Sequence, residues 1–252
     1  MRVALNQATF ETADTSTFLA AAAAAGVTDV ALWRHKLDGS DLSGFDVFGL
    51  CRGGFFTTPG GVEDTRVAIE QAAAVDCPLL VLVCGGAADG DLVGARDQIA
   101  RGIEAVLPVA DEHGVQLAIE PFHPVFAADR SAIVTLDQAC EMAERFDIGV
   151  AVDTFHVWWD PGLDRAIARA SGRILSLQVA DWPAEMGVPL RGRVLPGDGV
   201  APLGKIVAAV AATGYDGPVE VEVLGEDVWA RDPFEIARLA VERTEALLGV
   251  RS

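Results

Sequence analysis

The chain has 252 residues and a formal net charge of −18, with half of its residues apolar and a positive mean hydropathy. That composition secures a sizeable core, and so acidic a surface without a basic stripe excludes nucleic acid as a partner. The longest apolar stretch, Phe18–Ala25, is too short to cross a bilayer, and the opening Met-Arg-Val-Ala-Leu-Asn lacks the regions of a signal peptide. A cytoplasmic protein without a membrane partner is expected. Its four cysteines, Cys51, Cys77, Cys84 and Cys140, show no Cys-x-x-Cys spacing and read as buried free thiols.

In chain order, a strand is predicted at Val3–Leu5, then an alanine-rich helix Ser16–Ala25 closed by Gly26. A strand at Asp29–Leu32 leads through a turn-rich piece with a poorly formed helix to strand Asp46–Leu50. Helix Glu63–Ala74 and strand Leu79–Val83 follow. The latter is apolar throughout, as suits a parallel strand covered on both faces. Helix Ala95–His113, with Pro108 as a point of bending, precedes the strand that opens at Leu117. The alternation continues with helix Leu136–Phe146, strand Gly149–Asp153, helix Leu163–Ala170 and strand Ile174–Val179. It closes with helix Leu203–Ala212, strand Pro218–Val223 and helix Pro233–Leu248. Eight strands, each followed by a helix or its remnant and with no linker, predict a single-domain α/β fold, the (β/α)8 TIM barrel, over residues 1–252. A doubly wound sheet would usually carry a glycine-rich turn after its first strand, and Asn6-Gln7-Ala8-Thr9 is not one.

Four of these strands end alike. Leu-Ala-Ile-Glu ends at Glu120, Val-Ala-Val-Asp at Asp153, Leu-Ser-Leu-Gln at Gln178 and Val-Glu-Val-Glu at Glu222. Side chains alternate along a strand, so Ala118 shares a face with Glu120, Ala151 with Asp153, and Ser176 with Gln178. The larger Leu117, Ile119, Val150, Val152, Leu175, Leu177 and Val179 take the opposite, helix-covered face, which puts the four oxygen donors inside the barrel mouth. Converging carboxylates would repel one another, and a divalent cation resolves the conflict. An all-oxygen set favours Mn²⁺ or Mg²⁺ over tetrahedral zinc. By the same parity Glu220 lies inward beneath Glu222, and a basic partner, with Arg2 the nearest, is expected to neutralise it. His156 lies one turn past Asp153, and His123 sits between prolines, as a pocket residue or as a hydrogen-bonding member of its loop. Trp158 and Trp159 form either an aromatic wall for a sugar or the packing of a long loop.

At these residues the sequence resembles the xylose-isomerase-like sugar isomerase/epimerase superfamily of TIM barrels, over nearly its whole length. The resemblance rests on Ile-Glu-Pro at 119–121, Asp-Thr-Phe-His at 153–156, Gln-Val-Ala-Asp-Trp at 178–182, Pro-Gly-Asp-Gly at 196–199 and Gly-Tyr-Asp-Gly-Pro-Val-Glu-Val-Glu at 214–222. It implies a metal held by Glu120, Asp153, Gln178 and Glu222, with Gln178 in place of the more usual histidine, as in hydroxypyruvate-isomerase-like members. It also implies substrate contacts from His156 and from Arg193. Glu120 and Glu222 would act both as ligands and as acid and base in proton abstraction beside a carbonyl, through an ene-diolate. The expected partner is a small sugar, ketose or keto acid, and self-association is left open. A dehydratase or lyase on a cyclic polyol or keto acid with the same metal site is the alternative. A non-catalytic sugar-binding barrel and an apurinic-endonuclease-type hydrolase follow it. The pieces Trp33-Arg34 and Cys51-Arg52-Gly53-Gly54-Phe55-Phe56 resemble an uncharacterised branch of the superfamily and are expected to shape the substrate pocket.

Overall fold

The computed structural model describes residues 1–249. Eight parallel strands close in sequence order into a barrel: β1 (Arg2–Asn6), β2 (Asp29–Trp33), β3 (Asp46–Gly54), β4 (Leu79–Val83), β5 (Gln116–Ile119), β6 (Gly149–Asp153), β7 (Ile174–Val179) and β8 (Pro218–Val221). Closure is made by β8 on β1, with Ala4 opposite Glu220 and Leu5 opposite Val221. The helices that return the chain are α1 (Thr15–Ala24), α2 (Gly61–Ala74), α3 (Leu92–His113), α4 (Leu136–Phe146), α5 (Thr154–Val157), α6 (Leu163–Arg169), α7 (Leu203–Ala212), α8 (Glu226–Trp229) and α9 (Pro233–Leu248). Among the described residues no helix is long and apolar enough to cross a membrane.

The main core lies between sheet and helices, where the outward strand residues Leu32, Leu80, Ile119, Val150, Leu177 and Val221 are all fully buried. Inside the barrel a smaller apolar layer joins Leu79, Val81, Ala118, Ala151 and Cys51. Small residues dominate the inward positions below the mouth, leaving room for the longer polar side chains above them.

The structure departs from the sequence expectation at four places. Only a single 3-10 turn, Arg34–Lys36, follows β2, and among the described residues no helix separates β2 from β3. Strand β3 runs on to Gly54 because glycine lets the backbone press against β4; a Cβ at Gly54 would sit 2.2 Å from the Val83 carbonyl oxygen. Helix α3 begins earlier than expected, capped by Asp91, whose side chain accepts from Gly94 N, and it continues through Pro108. Leu175 packs with the interior layer rather than against the helices. There β6 and β7 shift register: Val150 pairs with Ile174 but Ala151 pairs with Ser176, so Leu175 is the extra residue of a bulge and turns inward over Gly149.

Candidate active site

At the C-terminal mouth, Glu120 directly follows β5, Asp153 ends β6, Gln178 lies near the end of β7 opposite Asp153, and Glu222 directly follows β8. All four side chains are buried. Asp153 divides its oxygens between two tasks. Its Oδ1 caps α5 by accepting from Phe155 N at 2.9 Å, and its Oδ2 accepts from Arg193 Nη1 at 2.8 Å. The cap fixes the carboxylate and starts the helical turn that brings His156 back over it, with His156 Nε2 3.7 Å from Asp153 Oδ2 and 3.6 Å from Glu120 Oε1. His156 Nδ1 accepts from His123 N at 3.2 Å. The proton of the neutral ring therefore belongs on Nε2, toward the carboxylates. The 3.1 Å approach of Arg193 Nη2 to the same Nε2 is then a meeting of two donors.

Arg193 is fully enclosed although it comes from the loop between β7 and β8. Its Nη1 also donates to Glu222 Oε2 at 3.1 Å, and its guanidinium lies 4.6 Å from the Phe155 ring centre. The loop is tied down around this residue. Arg193 N donates to Leu224 O, Asp181 exchanges backbone hydrogen bonds with Val194, and the Asp181 carboxylate accepts from Gly197 N and Ala201 N. Gly225 allows the close passage, since a Cβ there would lie 2.2 Å from the Arg193 carbonyl oxygen. Arg191, its near neighbour, is exposed.

Burial and mutual repulsion set the protonation of the cluster. Glu120 is held well above the usual carboxylate range by burial and then by Glu222 and Asp153. Glu222 is pushed up to about 8 by burial, against the pull of Arg193. Burial likewise raises Asp153 and keeps His156 neutral by holding it well below its ordinary value. Gln178 contributes no charge, and among the described residues neither atom of its buried amide has a hydrogen-bond partner.

Glu120, Glu222 and Arg193 line a cavity of about 210 Å³. His123 and Trp158 do not line it. His123 is half-buried, stacks 4.8 Å from Trp182, and uses its Nδ1 to accept from Val125 N. Trp158 packs 5.7 Å from Trp182. Trp33, Cys51, Arg52 and Phe55, from the two pieces expected to shape the substrate pocket, also line the cavity, and Phe122 and Arg130, which the sequence left unassigned, complete it. Asn6, also unassigned from the sequence, does not line the cavity but supports it. Its Nδ2 donates to Glu222 Oε1 at 3.0 Å and to Glu220 Oε1, and its Oδ1 accepts from Ala8 N and Trp33 Nε1. Its inward parity on β1 was the available signal.

The model of the xylose isomerase-like TIM barrel family matches residues 8–247. The chain belongs to that family. Its members mostly are enzymes, isomerases and epimerases among them. Over 181 residues, 69% of this chain, it is 31% identical to a 3-dehydroshikimate dehydratase of Pseudomonas aeruginosa, and the match spans only 26% of that protein's length. It is 27% identical over 243 residues to a putative hydroxypyruvate isomerase of Streptomyces coelicolor, covering 81% of this chain and 83% of the relative. A solved protein of Sinorhizobium meliloti 1021 superposes with a TM-score of 0.93 at 36% identity, covering 97% of this chain and 98% of the other. The IOLI protein with a bound zinc atom has a TM-score of 0.84 at 18% identity, covering 99% and 98%, a likeness of fold alone.

Within this family fold the donor set suits a divalent cation. Glu120 and Asp153 each bring a carboxylate oxygen within 4.8 Å of the other, the His156 ring stands as close with its proton-bearing Nε2, and Glu222 is tied to the group through Arg193. The orphaned Gln178 amide, beside Asp153 in the ladder, is a neutral oxygen donor with nothing else to bind.

Glu220 corrects a sequence expectation. It points inward as expected, 1% exposed, but its partner is not Arg2. Arg2 sits two residue pairs below, opposite Pro218, and turns outward to Asp29 at 2.6 Å. Neutral groups satisfy Glu220 instead, with Asn6 on Oε1 and Ser176 Oγ donating to Oε2 at 2.8 Å. Burial, unopposed by a cation, raises its carboxyl to about 7. The folded state thus holds this proton more tightly than the unfolded chain, so stability is lost as pH climbs from the ordinary carboxylate range through about 7. With chelator present, Glu220→Gln is expected to match the parent near pH 5 and to exceed it at pH 8 by on the order of 2–3 kcal/mol in urea denaturation. Equal stabilities at pH 8 would show that the carboxylate costs nothing.

Proposed function

We propose that the chain is a divalent-metal-dependent isomerase or epimerase of a small sugar, ketose or hydroxy-keto compound, working by proton abstraction next to a carbonyl. The observation that carries this reading is the placing of two buried glutamates, Glu120 and Glu222, at separate strand ends facing one small cavity. Glu120, Asp153, Gln178 and Glu222 would hold the cation, with Mn²⁺ or Mg²⁺ suited to the oxygen-rich set, and it would supply Lewis-acid polarisation of the carbonyl beside the C–H bond to be broken.

The remaining work falls to the side chains. Glu120 and Glu222 take and return the proton, as carboxylates positioned against the cavity can. Asn6 fixes one oxygen of Glu222, and Arg193 the other. Arg193 and His156 contact the substrate oxygens nearest the carboxylates, and the aromatic group of Phe155, Trp182, Trp158 and His123 backs them. Return of the proton to the same carbon from the opposite face gives epimerisation; return to the neighbouring carbon gives isomerisation.

A second reading is dehydration of a cyclic keto acid by the same proton abstraction followed by loss of a β-hydroxyl. The likeness to the Pseudomonas aeruginosa dehydratase favours it. The experiment is to strip the protein with chelator, reload it with Mn²⁺ or Mg²⁺, and follow proton exchange into D₂O by NMR. Hydroxypyruvate, free ketoses, inososes and 3-dehydroshikimate form the panel. Exchange that returns on reloading is expected. Exchange indifferent to chelation, or absent from every compound, would reject the reading. Water loss from the ring acid would select the dehydratase.

A further inference from the structure

The chain is strongly acidic, yet arginines gather at the mouth of its cavity, and they are not equally engaged. Arg193 is spent on Asp153 and Glu222. Arg34 is spent on Asp64, donating to both carboxylate oxygens at 2.8 and 3.0 Å, and on Gln71 at 2.7 Å. Arg52 is different. Among the described residues its guanidinium makes no side-chain hydrogen bond and no ion pair, because Arg34 has taken Asp64; it rests on the Phe55 ring at 4.1 Å from the centre. Among the described residues Arg130 has only Asp129 as an ion-pair partner, at 3.6 Å, and its buried Nε lacks a hydrogen-bond partner. Both arginines line the cavity whose lining includes Glu120 and Glu222. Burial disfavours the charge of Arg52; Asp64 opposes that effect, while Arg130 and Arg34 add to it. Two under-partnered cations held against a half-closed cavity are an arrangement that an anionic ligand relieves.

We infer that the substrate carries a carboxylate, seated on Arg52 and Arg130, with its carbonyl end toward Glu120 and Glu222. The position of the carbonyl rests on the proposed function; the anion site rests on the arginines alone. A carboxylate fits better than a phosphate for two reasons. The planar guanidinium fork matches a planar carboxylate. Phosphate sites draw on free backbone amides, and those at this strand end are taken: Gly54 N by Thr65 Oγ1, Phe55 N by Val83 O, and Phe56 N by Cys84 O. Arg52 and Arg130 are thus specificity residues that separate acids from neutral sugars of the same size.

The test uses Mn²⁺-loaded protein and calorimetric titration with matched pairs: hydroxypyruvate against dihydroxyacetone, and 3-dehydroshikimate against its carboxamide. Dihydroxyacetone phosphate is the phosphate arm. In at least one pair the acid is expected to bind about tenfold or more tighter than its neutral twin, and Arg52→Gln and Arg130→Gln should each shrink that preference severalfold. Affinity for Mn²⁺ and for the neutral twin should stay unchanged in both variants, which shows that they remain folded. The inference is overturned if neither pair shows a carboxylate preference, if the preference survives both substitutions, or if only the phosphate compound gains affinity from the arginines. Failure of the metal site itself would register separately, as loss of Mn²⁺ binding in the parent protein.

Discussion

Glu222→Gln is expected to abolish substrate proton exchange, a loss of roughly 10²–10⁴-fold, while the barrel stays folded. The amide has the shape of the carboxylate but cannot accept the proton. Its cost to the fold is limited. Glu222 Oε1 accepts from Asn6 and Oε2 from Arg193, so an amide nitrogen must face one of these donors and forfeit that hydrogen bond. That loss amounts to about 1–3 kcal/mol, and removing one charge from a crowded anionic site offsets it. Glu120→Gln is the companion measurement, with exchange followed from each carbon that can lose a proton. A variant that retains exchange within about tenfold of the parent loses its place as acid or base, since a positioned proton carrier contributes more than that. If one glutamine variant still washes out the proton from one direction and the other does not, the order of action is assigned as well.

The barrel and its donor set were legible because both rest on short-range rules. Strand parity placed Glu120, Asp153, Gln178 and Glu222 on inner positions; the β6–β7 ladder keeps Asp153 and Gln178 there, and backbone bonds from Glu120 N to Leu82 O and from Glu222 N to Val179 O keep the other two. What was not legible depends on register and on loops. The bulge that turns Leu175 inward exists only in the pairing of β6 with β7, and no feature of Ile-Leu-Ser-Leu announces it. The partner of Glu220 was misread for a related reason. Closure of β8 on β1 sets Ala4, not Arg2, opposite Glu220, so the inward polar groups within reach are Asn6 above and Ser176 beside it. The engagement of Arg193 was hidden in a different way. Its alignment with buried carboxylates comes from the Asp181 turn and the narrow pass at Gly225, which are long-range contacts of an irregular loop. The isolation of Arg52 can be seen only once Arg34 is known to occupy Asp64.

Arg193→Met should destabilise the chelated protein by about 3–5 kcal/mol, because it removes the cation from a buried ion cluster and leaves the anions behind. Arg193 is the one cation among the described residues that touches Asp153 and Glu222, and it fills the space between them and the Phe155 ring. Methionine keeps much of that apolar packing, so the loss reports charge more than volume. The sign of the pH dependence follows. Without the guanidinium, Asp153 and Glu222 lose a strong downward pull on carboxyls that burial already raises. Their folded-state proton affinities rise further above those of the unfolded chain, and stability falls as pH rises through the neutral range. The deficit of the variant should therefore be small near pH 5 and largest at pH 8. Mn²⁺ should restore more stability to the variant than to the parent, because a bound cation replaces the missing charge and binding to the folded state alone stabilises it. Urea denaturation of both proteins at the two pH values, with chelator and with Mn²⁺, reads all four quantities. Equal stability of parent and variant at pH 8 in chelator would mean that the carboxylates share protons among themselves and that Arg193 serves the substrate rather than the fold.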